Sequence, residues 1–592
     1  MKPARAWKDD LAATAPDPRI VVEPGRRGKP TLRVGDLYLH SRYDPAREAN
    51  QLIESAQLDT GRPILVGGLG LGYHVQALRA RGAEVFVIEP DANVARAAIV
   101  AGPMAGDDTP LWIGDIEAVA QEEEFRKLAT RMPQLLLHPP TTRLHPQFAD
   151  AVRAALARAA LGNTHLSVAV VGPMYGGSLP ITKYLADAFT GLGHRTLHVD
   201  NATGWPLYEA TTNSVRNETI QGQLTNMLTN FLGEWSFTRV AEFQPDICIV
   251  MAQAPTGKDF AARLRKRGIV TAFWFVENWR HMPYWKQVAL EYDYFFHIQP
   301  GVFEQELDAI GCVNHAFVQT GCDPKVHRPV DLTTEEAAEY GCHLSFAGAG
   351  YPNRNNLFRG LTDYDFKIWG VNWTDPALAP LLQRPGQRFN TEEFMKMVAG
   401  ATINLNLHAS TRAEGVDPKC DAVNPRVFEI AAAGGFQLCD PCLGIENHFD
   451  LEHELPTYTD LKSLRAQIDY YLANPDTRRT VAQRAQERAL RNHTYTQRAQ
   501  QMLDHILARH GAALLKRGVK VHRTIGEMAE KVGAHTQLGS YLAQLPPNML
   551  FTHDHIKELL PLGIARDTYP ARLFTYMTEV RGIAEKLFKE KR

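Results

Sequence analysis

Cysteine is scarce, with seven residues in a chain of 592. An odd and thin set excludes a disulfide framework and fits a reducing compartment. An excess of one charge is missing too. Lys and Arg number 64 against 66 Asp and Glu, a net charge of -2, so no global basic excess points to nucleic acid as a partner. No apolar run approaches the ~18–20 residues that span a bilayer, so no integral membrane segment is expected. The opening, MKPARAWKDDLAATAPDP, lacks an apolar h-region, and no Sec leader is expected. There is no repeat at solenoid periods and no low-complexity tract. What is present is ordinary for a globular protein: 44% hydrophobic and 22% charged residues. At ~100–200 residues per domain, the length accommodates roughly three to five domains. A cytoplasmic, multidomain chain is expected.

Three α/β runs follow one another. In the first, Pro63 to Gly67 reads as a buried strand, followed by Gly67-Gly68-Leu69-Gly70-Leu71-Gly72, a helix over Tyr73 to Arg81, and a strand, Glu84 to Ile88, ending at Glu89. Strand, glycine turn, helix, strand and acid open a doubly wound nucleotide-binding sheet. The chain then reads as helical to about Leu161. The second run starts with strand Ser167 to Val171 and the loop Gly172 to Gly177. Further strands recur at Arg195–Val199, Ile247–Met251, Val270–Phe275, Tyr294–Ile298 and His315–Gln319. The third starts at His343 to Ala347, then Gly348-Ala349-Gly350-Tyr351-Pro352-Asn353-Arg354, with strands at Phe366–Trp369, Thr402–Leu407 and Phe436–Cys439. Strands alternating with helices imply parallel sheets. Charged amphipathic helices fill 459–508. The tail is helix-rich, with apolar Leu542, Leu545, Leu559, Leu560, Leu573 and Met577, and ends in a basic cluster, Lys586, Lys589, Lys591 and Arg592, read as a solvated terminus. The expected domains are 1–160, 166–330, 331–508 and 511–592.

Chemistry concentrates in the third run. Asn424 is a good N-cap and Pro425 suits the first helical position, so a short helix is predicted there, ended by Gly434-Gly435. Its N-terminus and Arg426 suit a phosphate. Glu429, one turn on, has the reach for a ribose diol. Upstream, period two along Thr402 to His408 puts Ile403, Leu405 and Leu407 on one face and Asn404, Asn406 and His408 on the other. A polar face on such a strand suits the wall of a cleft. The polar loop Thr411 to Val423 follows.

Asn424 to Asp440, with its Arg-x-Phe-Glu-x-x-x-x-Gly-Gly-Phe pattern, resembles the donor segment of GT-B glycosyltransferases of the CgeB-like group. Leu344 to Gly348, Gln319 to Pro324, Tyr470 to Pro475 and His493 to Tyr495 resemble further segments of that family in the same order, so the resemblance covers about 166–508. It implies two Rossmann-like domains and transfer of a sugar from a nucleoside-diphosphate sugar, a UDP-sugar in the first place, to a protein or glycan acceptor. It implies that Glu429 binds the donor ribose and that Arg426 with the helix N-terminus holds the diphosphate. Gly348, Gly350 and Arg354 would face the same phosphates, joined in the site by Asn406, His408, Gly434 and Gly435. Glu277, at the end of strand Thr271 to Val276 where related sequences have Asp, is the candidate base, with Asp293 and His297 as alternatives. Gly176 and Gly177 would shape the acceptor or phosphate side. Asp363-Tyr364-Asp365 resembles a metal-binding D-x-D but reads as a solvated turn. Cys439-Asp440-Pro441-Cys442 is a C-x-x-C, open to a redox role or to half of a zinc site. No second C-x-x-C or H-x-H pair is evident, so it reads as a structural loop and no metal is expected.

The first run resembles both motif I of S-adenosylmethionine methyltransferases and the N-terminal part of Maf-type flagellin-modification proteins. This implies a cradle formed by Gly68, Gly70 and Gly72 with Glu89 on ribose hydroxyls. S-adenosylmethionine is therefore the alternative ligand and methyl transfer the alternative activity, although no N-P-P-Y-like segment follows. A scaffold with inert sites is the third reading. A flagellar or surface protein as acceptor follows from the two resemblances together.

Overall fold

The computed structural model describes residues 11, 17–104, 108–162, 165–516, 524–547, 551, 556, 560 and 568–589. The chain forms two compact units, Met1–His165 with Leu503–Arg592, and Leu166–Met502.

The first unit opens with an antiparallel meander of β1 (Ile20–Pro24), β2 (Pro30–Val34) and β3 (Leu37–Tyr38). A parallel sheet follows: β4 (Ile64–Gly67), β5 (Val85–Glu89), β6 (Leu111–Ile113) and β7 (Gln134–Leu137), in the order β6-β5-β4-β7. The reading of the chain as helical to about Leu161 is corrected here, because β7 interrupts it; β6 ends where Trp112-Ile113-Gly114-Asp115 resembles an acidic strand end. The Gln-Leu-Leu-Leu of β7 has no β-branched residue and reads as helix by propensity, but pairing along all of β4 makes it a strand. Helix Phe148–Leu161 packs closely on the later turns of helix Tyr495–Lys516. A Cβ on Gly511 would fall 2.4 Å from that of Ala157, and Arg158 pairs with Asp504 at 2.6 Å. In the tail, Leu542 and Leu545 are buried with Ile525 and Tyr541, whereas Leu573 and Met577 are exposed. Leu559, Lys591 and Arg592 lie outside the described residues.

The second unit holds two doubly wound domains. One has β8 (Ser167–Val171), β9 (Arg195–Val199), β10 (Ile247–Met251), β11 (Val270–Phe275), β12 (Tyr294–His297) and β13 (His315–Phe317), all parallel in the order β13-β12-β11-β10-β8-β9. The other has β14 (Cys342–Ala347), β15 (Phe366–Trp369), β16 (Leu382–Gln383), β17 (Ala401–Asn406) and β18 (Gln437–Cys439), again parallel, in the order β16-β15-β14-β17-β18. Strands β8, β10 and β11 are buried along their whole length, as expected of a parallel sheet covered on both faces. In each domain the winding direction reverses beside the first strand, between β8 and β10 and between β14 and β17. Ligands of such sheets bind at the carboxyl ends of the strands at this reversal. Two Rossmann-like domains facing a common cleft make the GT-B arrangement. Among the described residues no helix is long and apolar enough to cross a membrane.

Candidate functional site

A cleft of about 1070 Å³ lies between the two domains of the second unit. It meets the loops at both reversal points. Gly176, Gly177 and Glu277 line it from the first domain, and Gly348, Arg354, Asn406, Arg426 and Glu429 from the second.

The second-domain wall is built on a clamped turn. After β14 the chain passes Gly348, whose N–H bonds the carbonyl of Trp369 at 3.0 Å and whose own carbonyl takes the Trp373 indole N–H at 3.1 Å. Gly370 follows β15 at φ +123°, and a Cβ there would strike the Gly348 carbonyl oxygen at 2.2 Å. Arg354 is set into this turn. Its guanidinium donates to the carbonyls of Ala349 at 2.9 Å and Leu407 at 2.7 and 3.0 Å and lies over the rings of Phe346 and Tyr351. Burial lowers it to about 10. Among the described residues no carboxylate forms an ion pair with it. A guanidinium held by neutral carbonyls keeps its positive field for an anion in the cleft.

Strand β17 lies inside its sheet, and its polar face meets the cleft at Asn404 and Asn406 while Ile403, Leu405 and Leu407 join the core. Asn404 Oδ1 accepts from Ser345 Oγ at 2.8 Å, and Asn406 Oδ1 accepts from Asn424 Nδ2 at 2.9 Å. That last bond corrects the capping expectation. Asn424 turns to β17, and the helix runs from Arg426 to Ala432 without a side-chain cap. The N–H groups of Val427 and Phe428 bond back to the carbonyls of Asn424 and Pro425, so the helix start offers an anion less than its sequence promises. Arg426 Nη1 donates to Glu429 Oε2 at 2.5 Å and its guanidinium lies 4.2 Å from the Phe394 ring centre. Glu429 is buried, and its other oxygen lies 3.7 Å from Nε2 of His327. Nδ1 of His327 accepts the Asp323 N–H, so Nε2 carries the proton, and that buried N–H has no hydrogen-bond partner among the described residues. A hydroxyl between Glu429 and His327 would satisfy both.

On the first-domain wall, Glu277 follows β11. Burial pushes its carboxyl up to about 7, and among the described residues nothing hydrogen-bonds or ion-pairs with it. A carboxyl near neutrality, free and facing a cleft, suits a general base. The exposed Tyr175 ring lies 4.6 Å from Trp205, and both line the cleft, as an aromatic ledge. Of the alternatives, Asp293 accepts from Thr271 at 2.9 Å and His297 is fully buried, its ring paired with the Gln299 carbonyl and held at about 3 by burial.

Several expected site residues are placed elsewhere. Gly350 packs under the turn, where a Cβ would meet the Asn372 carbonyl at 2.5 Å. Gly434, at φ +74°, ends the helix, and Gly435 packs on Val398 and Ile430. His408 points away from the cleft to Asp440, with Nδ1 2.7 Å from Oδ1. Asp363 pairs with Arg465, and Asp365 accepts the His343 N–H, so the D-x-D is a surface turn. In the first unit the expected nucleotide cradle is filled with side chains. A Cβ at Gly68 would meet Thr141, one at Gly70 would meet His40, and one at Gly72 would meet Met104, all within 2.6 Å. The Glu89 carboxylate accepts the N–H groups of Leu69 at 2.6 Å and Asp91 at 3.0 Å and does not face ribose hydroxyls. Its carboxyl is raised to about 7 by burial. These four residues support the turn, and the expectation of S-adenosylmethionine there is withdrawn.

Besides the Tyr175–Trp205 ledge, Arg388 and His327 escaped the sequence reading. Arg388 is exposed, lines the cleft, and has no ion-pair partner among the described residues. It lies in a polar loop with no motif. His327 follows the Gly-x-Asp-Pro segment by three residues, and only its position beside Glu429 reveals it.

Residues 354–504 match the family model described as Glycosyl transferase-like. No curated protein matches the chain. Solved structures similar to it include a glycosyltransferase from Rickettsia africae, at 13% identity and a TM-score of 0.40, covering 58% of this chain and 99% of that one. Sucrose-phosphate synthase from Thermosynechococcus elongatus is similar at 11% identity and a TM-score of 0.41, covering 60% and 99%. HepE from Anabaena in complex with UDP-glucose is similar at 10% identity and a TM-score of 0.40, covering 60% and 100%.

Proposed function

We propose that the second unit moves a sugar from a nucleoside-diphosphate sugar, UDP-sugars first, to a protein or glycan acceptor. The observation that carries this reading is the meeting, in one cleft, of Glu277 with Arg354, Arg388 and Arg426, all three on the segment that matches a glycosyl transferase-like model. The leaving nucleoside diphosphate gains negative charge as the glycosidic bond breaks. Guanidinium groups already in place stabilise that charge without reorganising. Glu277 removes the proton of the attacking hydroxyl, Glu429 with His327 holds the ribose diol, and Asn406 lines the donor side. Gly348, Gly176 and Gly177 leave room for the phosphates and acceptor. The Tyr175–Trp205 ledge offers an apolar face to a sugar or peptide acceptor. The CgeB-like and Maf-type resemblances together support a flagellar or surface protein as the acceptor, modified in the cytoplasm.

An inert scaffold is the second reading. What favours it is that Arg426 and Glu429 satisfy each other without a ligand. A thermal-shift panel of UDP, GDP, CMP, their sugars and S-adenosylmethionine separates the two. A ligand at about 100 times its Kd adds ~2.7 kcal/mol of stability. A nucleoside diphosphate is expected to raise the unfolding temperature and S-adenosylmethionine to leave it unchanged. Glu429→Gln is expected to weaken the donor by roughly 1.5–3 kcal/mol, the cost of losing hydrogen bonds to a charged group. Silence across every nucleotide would leave the scaffold standing.

A further inference from the structure

Outside the cleft, the ends of β17 and β18 and the loop between them bring together a set of soft donors. One ring nitrogen of His408 and the sulfurs of Cys420 and Cys442 all lie within 4.8 Å of one another. The two sulfurs are 2.8 Å apart, and both cysteines are free thiols. Cys442 and His408 are buried. The ligands come from three chain segments, which is why the sequence showed only half a site.

We propose that His408, Cys420 and Cys442 bind a zinc ion that fastens the loop of residues 409–424 to the donor domain. A set of two thiolates and an imidazole selects a borderline-soft, tetrahedral cation over magnesium or calcium. The support of the histidine points the same way. His408 Nδ1 is paired with Asp440 Oδ1 at 2.7 Å, leaving Nε2 for a metal, and a carboxylate on the far ring nitrogen is the common partner of a ligating histidine. Nε2 accepts only the Asn424 N–H, at 3.2 Å, a contact the ion would replace. Asp440 is fully buried; its Oδ1 takes the His408 ring and backbone N–H, and its Oδ2 has no hydrogen-bond partner, so a cation nearby would offset charge that His408 alone now faces. Cys439 and Asp440 gather with His408 in a separate set of the same span and not with both cysteine sulfurs, so water would take the fourth tetrahedral position. The ion's role is structural. Next to Cys420, Asp421 accepts from Arg280 of the first domain at 2.5 Å and from Gln299 at 2.7 Å. The loop therefore bridges the two domains, and the ion fixes its second-domain end.

The test uses the full chain, expressed with zinc in the medium and purified without chelator, with metal read by plasma mass spectrometry. One zinc per chain is expected, and Cys420→Ser with Cys442→Ser should lose it. Cobalt added to chelator-stripped protein should give thiolate-to-cobalt charge-transfer absorption, absent from the double variant. Because a variant can fail to fold, the stripped wild type provides the independent reading: zinc should raise its unfolding temperature and magnesium should not. Protein that neither retains nor takes up zinc, or that carries a Cys420–Cys442 disulfide two mass units lighter in place of metal, would overturn the proposal. So would a folded double variant that keeps its zinc.

Discussion

Glu277 is a carboxyl placed where water cannot fully solvate its charge, and two consequences follow. Its pKa near 7 puts it where a general base works best at neutral pH. Transfer should therefore rise with pH through about 7, as the base form accumulates. Glu277→Gln should lower kcat/KM by roughly 10²–10⁴-fold, the usual worth of a positioned base, and abolish that limb of the profile. The donor-induced thermal shift should survive, which separates chemistry from binding. An equal loss of donor shift would make Glu277 a binding residue. The second consequence concerns stability. The folded pKa lies above the unfolded one, so the native state holds the extra proton between about pH 4.5 and 7. Stability on this account falls as pH rises through that window. Glu277→Gln should therefore raise the unfolding temperature at pH 8 and have little effect at pH 4.

Elements decide what the residues can reach. The turn after β14 is held against the turn after β15 by backbone contact at Gly348 and Gly370, and Arg354 is anchored in it. Gly370→Ala would place a methyl group against a carbonyl at a φ that alanine rarely adopts. It should cost roughly 1–3 kcal/mol in chemical denaturation and shift Arg354, weakening the donor too. A Gly386→Ala control also has positive φ but meets no atom within 4 Å, so it should pay for the backbone strain alone. At this scale the sequence was readable wherever a period or a turn is local. The apolar strands, the glycine turns and the alternation along β17 are properties of neighbouring residues, and each has its counterpart in the fold. Partners distant in sequence were not readable. Asp440 takes His408 from 32 residues away, and that bond turns His408, two residues past β17, out of the cleft. Asn424 prefers Asn406 to its own helix for the same kind of reason. In the first unit the motif is present but His40, Thr141 and Met104 fill its cradle, and nothing in the glycine spacing reports what lies above it.

At the scale of the whole molecule, buried histidines set the response to acid. Burial lowers His40 to about 3 and His74 to about 4, and His138 well below its ordinary value, in the first unit. In the second unit it lowers His297 and His493 to about 3, His448 to about 4, and His198 and His327 in the same direction. Each is neutral when folded and takes a proton when unfolded below about pH 6.5. Their contribution is therefore fully present above 6.5 and lost as pH falls toward their folded values. Carboxyls raised by burial, Glu48, Glu89, Glu277 and Glu291, act in the opposite sense above about pH 4.5, for Glu89 and Glu277 up to about 7, but are fewer. Each uncompensated histidine changes stability by about 1.4 kcal/mol per pH unit in the window. The unfolding temperature should fall steeply from pH 7 to pH 5, with the bend near 6.5 rather than near 4, where paired surface carboxylates would place it. Hydrogen exchange at pH 7.5 and 5.5, corrected for intrinsic rates, should show lost protection around His74 and His138 and around His297 and His493. A flat profile down to pH 5 would mean that these rings reach solvent, and the packing of both units around them would have to be redrawn.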